Sequence, residues 1–420
     1  MAIDKKVLKS SIEREQNELA RSAEREKIKG LKNLNVPPLR FPEFTEEWGR
    51  CKVSELLDFY STNSLCWEQL EYETNTILNL HYGLIHVGLP TMVDLSKDKL
   101  PNIKEGNMPK NFELCKDGDI AFADASEDTN EVAKAVEFYN LDEKNVVCGL
   151  HTIHGRDNAD RTVIGFKGYA FSSDAFHHQI RRIAQGTKIF SISTKNFSEC
   201  YIGIPSKEEQ TKIATLLHLI DERIVTQNKI IEDLKKLKSA ISESLFKDIK
   251  GDIVMLSEIC EITKGKQING EFLSEKGKYY VMNGGTEPSG YYNIYNVEAN
   301  TISISEGGNS CGYVQFNTSP FWSGGHCYTI QKIADNVDNL YLYHFLKSKE
   351  DAIMKLRIGS GLPNIQKKDL AIFKIKIPTV EQQKAISTFL SSLEKKAEIE
   401  ERIQNAMLKE KLYLLQQMFI

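Results

Sequence analysis

The 420-residue sequence contains none of the short signatures that mark common enzyme classes. It has no Walker A loop, no G-x-S-x-G nucleophile turn, and neither the N/D-P-P-Y nor the F-x-G-x-G motif of amino-directed methyltransferases. A chain of this length without such a signature is more typical of a recognition module than of an enzyme. The sequence therefore favours binding over catalysis.

Excess positive charge is also absent. Lysine and arginine together number 54 against 58 acidic residues, which gives a net charge of -4 and a pI of about 6.2. No global basic field therefore attracts nucleic acid or an anionic membrane. If the protein binds DNA, local patches or a partner must supply the positive charge.

Closely spaced cysteines are missing as well. The eight cysteines include no C-x-x-C pair, which argues against a disulfide framework, a zinc ribbon and a thioredoxin-like site. We interpret them as reduced, mostly buried thiols of a cytoplasmic protein. His177, His178 and His326 also lack a ligand set at metal spacing, so the sequence predicts no metal site.

The N-terminal segment, residues 1–36, lacks an apolar run. It mixes lysine and arginine with glutamate, so we expect neither a signal peptide nor a membrane span. We predict a charged, helical extension. It could lie as an extra helix against the rest of the protein or form an unrelated tail.

What the chain does contain is a long repeat. Residues 204–247 align without a gap to residues 377–420, with 11 identities in 44 positions. Each copy begins with Ile-Pro followed by Ser206 or Thr379, and Glu209 or Gln382 stands three residues later, which is the order of a helix capping box. Two long helices are predicted, and forty helical residues would extend about 60 Å. Such a length suggests a spacer.

Apolar residues in both copies recur at spacings of four and three, which predicts a coiled-coil seam. The seam residues are Ile213, Leu217, Ile220, Ile224, Ile231, Leu234, Ile241 and Leu245, and Ile386, Leu390, Leu393, Met407, Leu414 and Met418. Polar residues interrupt the seam at Gln227, Lys238, Glu400, Gln404 and Lys411. Polar seam positions can fix register and partner at a cost in stability. A generic coiled coil in a scaffold protein remains an alternative.

Similarity continues at the borders of the segments between the helices. Ser54-Glu55-Leu56 resembles Ser257-Glu258-Ile259, whereas the middles differ. We therefore predict a globular segment at 37–205, a helix at 206–250, a second globular segment at 251–377 and a helix at 378–420. Both globular segments are expected to be mixed α/β with small, largely antiparallel strands. The stretch YAFSSDAFHHQIRRI is expected to be strand-like.

Two patches carry side chains suited to DNA. Arginine and glutamine read guanine and adenine edges, and lysine, tyrosine and asparagine suit phosphates and bases. The candidates are His178, Gln179, Arg181, Arg182 and Lys188 in the first segment, and Lys264, Lys266, Lys278, Tyr280, Asn283, Tyr291 and Tyr292 in the second. The alternatives are a solvated strand edge and half-exposed filler residues. MNGGTEPSGYYN favours a hairpin over a phosphate loop, because no Lys-Ser/Thr follows its glycines.

These landmarks resemble the specificity subunit (HsdS) of Type I restriction-modification systems. The similarity rests on LRFPEFTEEWGRCKVSEL, NGGTEPSGYYN, GGNSCGYVQFNTSPFWSGGHC and the twin helix starts, and it extends from about Pro38 to the C-terminus. The resemblance implies two target recognition domains, each reading one half of a bipartite DNA sequence. It also implies that the two helices form an antiparallel coiled coil with internal pseudo-twofold symmetry.

The resemblance further implies partners. Two modification subunits would bring S-adenosylmethionine and adenine-methylating sites, and two restriction/motor subunits would bring ATP and Mg²⁺, while this chain holds no cofactor. Glu208, Gln210, Glu381 and Gln383 recur at matching places and are expected to secure the helix starts. A protein-binding adaptor is the competing hypothesis, and a self-sufficient methyltransferase is disfavoured by the missing motifs.

Overall fold

The computed structural model describes residues 35–72, 74, 76–359 and 363–420. The helix predicted for the N-terminal extension falls on residues 1–34, which lie outside the described residues, and on the two residues that follow. The chain forms two compact units: the first extends to Thr226 and includes Asn405–Ile420, and the second is Gln227–Gln404. Within the described ranges, no helix is long and apolar enough to cross a membrane.

Short strands and short helices alternate in the first unit. They are β1 (Gly49–Lys52), α1 (Val53–Leu56), β2 (Asp58–Tyr60), β3 (Leu70–Glu71), β4 (Leu78–Leu80), α2 (Tyr82–His86), β5 (Met92–Asp94), β6 (Asn102–Ile103), β7 (Ile120–Ala123), β8 (Ala125–Ser126), β9 (Ala135–Asn140), β10 (Val146–Cys148), β11 (Thr152–Arg156), α3 (Phe166–Phe171), α4 (Asp174–Ile183), β12 (Phe190–Ser191), α5 (Thr194–Ser198) and β13 (Tyr201–Ile204). A 3-10 turn covers Trp67–Gln69.

The second unit has a similar sequence of elements between two long helices. These are α6 (Lys207–Asp248), β14 (Asp252–Met255), α7 (Leu256–Ile259), β15 (Glu261–Lys264), β16 (Tyr279–Met282), β17 (Tyr291–Tyr292), β18 (Thr301–Ser305), β19 (Val314–Asn317), β20 (Trp322–Ser323), β21 (Cys327–Gln331), α8 (Asn339–Ser348), α9 (Glu350–Met354), α10 (Lys367–Ala371), β22 (Lys374–Ile377) and α11 (Val380–Gln417). A 3-10 turn covers Gly270–Phe272. Helices α6 and α11 each begin in one unit and end in the other.

Both units use the same strand order. The first contains the sheet β2-β11-β7-β9-β5, and the second contains β15-β21-β18-β19, with the first four strands antiparallel in each. Each unit also has a second sheet, which is β10-β4-β6-β3 in the first unit and β20-β16-β17 in the second. In both sheets the first two strands are parallel, and the second and third strands are antiparallel. A two-stranded sheet, β1-β13 or β14-β22, precedes each start of a long helix. The duplicated topology therefore includes the middles that look unlike in sequence, and the mixed α/β prediction is confirmed.

The strand expected for YAFSSDAFHHQIRRI, residues 169–183, was wrong. Residues 169–171 end α3 and residues 174–183 form α4, where the Ser173 hydroxyl accepts a hydrogen bond from the backbone N–H of Phe176 and caps the helix. Phe176 and Ile180 are buried, and their spacing of four residues places them on one helical face against the core. The N-cap and this helical spacing outweigh the strand propensity of the aromatic residues upstream.

The two long helices pair in each unit. In the first unit, the start of α6 packs against the end of α11, with Ile213, Leu217, Leu414 and Met418 in one core. In the second, the end of α6 packs against the start of α11, where Leu390 is fully buried. Every residue of the predicted seam is buried or half-buried.

Polar seam residues have hydrogen-bonding or charged partners across the helix pair. In the second unit Gln227 donates to a Glu400 carboxylate oxygen at 2.7 Å, and Lys238 pairs with Glu394 at 2.6 Å. Residue numbers rise along α6 as those of their partners fall along α11, so the pairing is antiparallel. In the first unit Lys411 pairs with Asp221, also at 2.6 Å. The polar interruptions therefore carry specific partners that fix the register.

A buried glutamine secures the first helix start. The Gln210 side-chain oxygen accepts the backbone N–H of Val163 at 2.8 Å, and its amide nitrogen donates to the carbonyls of Arg161 and Pro205 at 3.1 and 3.0 Å. Its exposed fraction is 0%. The side chain thus ties the helix start to the loop before α3.

Gln383 repeats this arrangement in the second unit. Its oxygen accepts the backbone N–H of Asp338 at 2.8 Å, and its nitrogen donates to the carbonyls of Asn336 and Pro378 at 3.0 and 2.9 Å. Glu208 and Glu381 are exposed. Of the four recurring residues, the two glutamines therefore hold the helix starts, through loop carbonyls and amides.

The capping box forms differently in the two helices. Thr379 and Gln382 exchange both bonds at 3.4 Å, as the sequence predicts. Glu209 instead turns away to accept two bonds from Arg40 at 2.7 Å and one from the Trp48 indole at 3.2 Å. A buried ion pair replaces the reciprocal bond in the first unit.

Candidate nucleic-acid interface

A carboxylate and a histidine face each other at one edge of the large sheet of the first unit. Register places Thr152 of β11 opposite Ala123 of β7, so Asp124 and His151 lie one residue beyond the paired strands. The Asp124 N–H donates to the His151 carbonyl at 3.0 Å, and the Asp124 carboxylate lies 3.1 Å from His151 Nδ1. We call this arrangement the carboxylate–histidine turn.

The second unit has the same turn at the same register. Cys327 of β21 lies opposite Ser305 of β18, and Glu306 and His326 follow in the positions of Asp124 and His151. The Glu306 N–H donates to the His326 carbonyl at 2.9 Å, and a Glu306 carboxylate oxygen lies 3.7 Å from His326 Nδ1. The two units therefore share a side-chain arrangement that the sequence similarity at their borders does not reveal.

A lysine and a tyrosine contact the carboxylate of the second turn. Lys264 lies 2.6 Å from one carboxylate oxygen of Glu306, and the Tyr328 hydroxyl donates to the same oxygen at 3.0 Å. Burial, followed by the Glu306 carboxylate, raises the pKa of Tyr328 well above its usual range, so Tyr328 remains a donor. Lys264 and His326 are 52% and 62% exposed over a carboxylate that is only 9% exposed. The Lys264 ammonium and the His326 ring face solvent, where a phosphate could approach.

Glycines let the neighbouring backbones close over this turn. A Cβ on Gly265 would lie 2.1 Å from the Gly324 carbonyl oxygen, and one on Gly324 would lie 2.5 Å from Asn283 Oδ1. Gly284, with φ of +87°, occupies the left-handed region that glycine tolerates. The expected hairpin is present, because β16 and β17 flank this stretch as an antiparallel pair. The glycines allow close packing between loops.

Four of the predicted residues, Lys264, Lys266, Asn283 and Tyr292, come together here. Lys264 ends β15, and Lys266 and Asn283 lie on the loops around the turn, where Asn283 Oδ1 accepts the His326 N–H at 3.0 Å. The Trp322 indole donates to the Lys266 carbonyl at 2.9 Å. The ring of Tyr292 packs edge-on against Trp322, at 5.4 Å between ring centroids. Cations and an aromatic surface therefore occur side by side.

The other predicted residues of the second unit lie on the β16–β17 ribbon. Tyr280 stacks on Phe321 and donates its hydroxyl to Asn317 at 3.1 Å. These contacts indicate a packing role, and burial raises the pKa of Tyr280 to about 12. Lys278 lies over the Tyr279 ring, and Tyr291 is 36% exposed.

The predicted patch of the first unit lies on α4 and the loop after it. Gln179 exchanges two hydrogen bonds with the backbone of Tyr201, at 2.8 and 2.9 Å, so its amide is already engaged. Arg181 pairs with Asp174 at 3.1 Å. His178, Arg182 and Lys188 are exposed. Lys188 precedes β12, and beyond this strand the Ile192 N–H donates to the Asp124 carbonyl at 3.0 Å.

Sequence reasoning missed a cluster of aromatic and histidine rings in the first unit. Trp67, which is 46% exposed, lies 4.5 Å from His81 between ring centroids. Tyr82 packs against His81 at 4.8 Å and against His151 at 5.2 Å. Burial, followed by the charge of His151, lowers the pKa of His81. Flat rings of this kind can stack on bases, and the clustered letters of LHYGLIH were the available signal.

Comparison with known proteins assigns the family. The profile described as Type I restriction modification DNA specificity domain matches residues 163–236 and 250–409, more than half of the chain. The chain belongs to this family. The resemblance noted in the sequence is thereby confirmed.

Curated relatives agree with the family over shorter stretches. A putative type I specificity subunit of Mycoplasma pneumoniae is 35% identical over 138 residues, covering 32% of this chain and 36% of the relative. A putative type I specificity subunit of Mycoplasma genitalium is 31% identical over 145 residues, covering 34% and 38%. The chain thus spans little more than a third of the length of these two relatives.

Solved structures share the fold over almost the whole chain. The S subunit of a Type I restriction-modification system from M. genitalium superposes with a TM-score of 0.61 and 19% identity, covering 92% of this chain and 99% of that one. A chain from a study of complex assembly and conformational transition of the type I R-M system superposes with a TM-score of 0.58 and 15% identity, covering 89% of this chain and 97% of that one. These likenesses support the same architecture for this member of the family.

Proposed function

We propose that this chain is the DNA sequence-specificity subunit of a Type I restriction-modification complex, in which each unit reads one half of a bipartite target. The supporting observation is the carboxylate–histidine turn, which recurs at one register in both units with different neighbours. In the first unit Tyr82 packs against His151, and the rings of His81 and Trp67 continue from Tyr82. In the second unit the neighbours are lysines and glycine turns. One scaffold with two different surfaces suits two different half-sites.

The long helices then set the gap between the half-sites. Helix α6 is a continuous helix of 42 residues, a length of about 63 Å at the usual rise per residue. Because protein geometry fixes the separation of half-sites, a change in helix length should change the number of unread base pairs.

Partner recruitment is the second role that we assign to the helices. Ile230 and Ile403 occupy matching places in the repeat and are exposed to 40% and 39%. Matched apolar side chains on a solvent face suit two copies of one partner. We infer that two modification subunits bind here and bring S-adenosylmethionine, and that two restriction/motor subunits bring ATP and Mg²⁺. The chain itself is non-catalytic and acts in the cytoplasm of a bacterium or archaeon.

These partners would also account for DNA binding by an acidic chain. Phosphate neutralisation contributes much of protein–DNA affinity, and the net charge here is -4. Modification subunits that enclose the duplex would supply the missing positive charge, leaving base recognition to the two units.

The experiment is co-expression with the cognate modification subunit in a host without adenine methylation, followed by single-molecule mapping of N6-methyladenine. We expect methylation confined to one two-part motif with a fixed gap. A complex that assembles but methylates nothing would favour the alternative, a coiled-coil scaffold.

Matched variants assign the reading surfaces. His151→Ala should relax the sequence requirement in one half of the motif, and His326→Ala in the other half, because each removes one ring from one turn. Arg182→Ala is the control on α4, since its side chain is exposed and lies on a different element. If Arg182→Ala relaxes a half-site and His151→Ala does not, α4 is the reading surface of the first unit.

A further inference from the structure

Two thiols face each other inside the first unit. The sulfurs of Cys115 and Cys148 lie 3.7 Å apart, and both side chains are buried. Cys115 donates its backbone N–H to Val146 in β10 at 2.8 Å, and Cys148 is the last residue of that strand. Neighbouring backbone therefore holds both sulfurs in place.

A histidine completes the group. His154, on β11, has an exposed fraction of 0%, and its Nδ1 has no hydrogen-bond partner within the described residues. A donor atom of this ring and the two sulfurs all lie within 4.8 Å of one another. An unpaired buried nitrogen is costly unless something binds it.

The other ring nitrogen is held by a carboxylate. His154 Nε2 lies 2.7 Å from Asp119 Oδ2, and Arg156 donates two hydrogen bonds to the same carboxylate at 2.8 Å. Because the Asp119 carboxylate accepts from Arg156 and faces Nε2, the geometry assigns the ring proton to Nε2, which leaves the Nδ1 lone pair for a ligand. Histidines that bind metals are commonly oriented by a carboxylate in this way.

We propose that Cys115, Cys148 and His154 bind a zinc ion. Zinc–sulfur bonds of about 2.3 Å at a tetrahedral angle place two sulfurs about 3.8 Å apart, close to the observed 3.7 Å. On binding, both thiols release their protons to solvent, and no atom changes oxidation state. Two thiolates then neutralise Zn²⁺, while Arg156 already neutralises Asp119. The three side chains supply three of the four positions in a tetrahedron.

The ion would join the two sheets of the first unit. Cys148 ends β10 of one sheet, and His154 lies in β11 of the other. In the second unit the matching register positions are Ser323 and Thr329. Hydroxyls there cannot supply thiolates, so zinc binding is specific to the first unit. Short spacings in the sequence gave no hint of this site, because Cys115 and Cys148 are 33 residues apart.

The test uses the full chain purified under reducing conditions and reconstituted with Zn²⁺ or Co²⁺. Mass spectrometry of metal content should give one bound zinc per chain. Cobalt should give thiolate-to-metal absorption in the near ultraviolet, and its visible bands would report the coordination number. Cys148→Ser and His154→Gln should each weaken metal binding at least tenfold.

Cys200→Ser is the matched control. Cys200 is another buried cysteine of the first unit, whose sulfur contacts only the Asn196 carbonyl among its hydrogen-bond partners in the described chain. It should bind metal like the parent. Two results for the parent chain would overturn the proposal without any variant: no uptake of either metal, or a Cys115–Cys148 disulfide detected as a loss of two hydrogens. The measurements on the parent chain therefore still test the proposal if Cys148→Ser fails to fold.

Discussion

The two units place different chemistry on the same backbone position. Glu137 in the first unit lies opposite Ile120, as Phe316 in the second lies opposite Ile302. Glu137 accepts the Gly168 N–H at 2.7 Å and pairs with buried Lys167 at 3.0 Å. Phe316 instead packs against Tyr343, with 5.4 Å between ring centroids.

This contrast shows which features the fold requires. Contacts that join each unit to the helices are repeated at the two buried glutamines. Positions farther along the sheets hold an ion pair in one unit and an aromatic pair in the other. Both are accepted because each side chain has its partner within the same unit. A duplicated scaffold can therefore diverge in its interior and at its turns while its attachment to the helices stays the same.

The largest effect is expected for the buried ion pair. Glu137→Ala leaves the Lys167 ammonium, which is 3% exposed, without its carboxylate, and should lower the free energy of unfolding by about 4 kcal/mol. Urea denaturation measures this decrease in the free energy of unfolding. Glu131→Ala, which breaks the exposed pair with Lys134, is the control and should cost less than about 1 kcal/mol. Equal effects of the two variants would contradict the role of burial.

A pH effect specific to the second unit should come next. Burial lowers the pKa of His344 to about 4, whereas an unfolded histidine has a pKa of about 6.5. Below about pH 6.5 His344 is protonated in the unfolded chain but stays neutral in the folded chain. The free energy of unfolding therefore decreases as the pH is lowered from about 6.5 to about 4. The loss at this site should reach about 3 kcal/mol.

Urea denaturation at pH 7 and pH 4.5 tests this effect, with His344→Gln as the comparison. The variant should lose clearly less stability between the two pH values than the parent. An identical pH dependence in both proteins would show that His344 is not the titrating group.

Replacing either buried glutamine should lower the free energy of unfolding by the same moderate amount. Gln210→Leu and Gln383→Leu each leave one loop N–H and two carbonyls unpaired, and each should cost about 2 kcal/mol. Glu208→Ala and Glu381→Ala change exposed neighbours and serve as controls in the same denaturation series. A large difference between the two glutamines would break the proposed equivalence of the helix starts.

The smallest effect is expected in the coiled coil. Lys238 and Lys411 are equivalent residues of the repeat, and so are their partners Glu394 and Asp221. Lys238→Met and Lys411→Met should each cost about 1 kcal/mol at low salt. Added salt should reduce both losses equally, and unequal salt dependence would separate the two pairs.

The sequence by itself determined the features that depend on local periodicity. Repeated capping residues, the apolar seam and the matching lysines all recur at fixed spacing, so the two long helices and their duplication could be predicted. Residue type alone also selected Lys264, Lys266 and Asn283 as DNA-binding candidates, because cations and amides stand beside glycine turns in that segment. The structure places them around one turn, and their contact with DNA stays a prediction.

Tertiary structure decided everything that depends on distant strands meeting. The shared strand order, the carboxylate–histidine turns and the pair of Cys115 and Cys148 each bring together residues from separate strands or loops of the sequence. Side-chain type gives no such register, since strand pairing is set by the packing of whole sheets. Periodicity encodes a helix within its own segment, whereas a site between strands exists only once the chain has closed on itself.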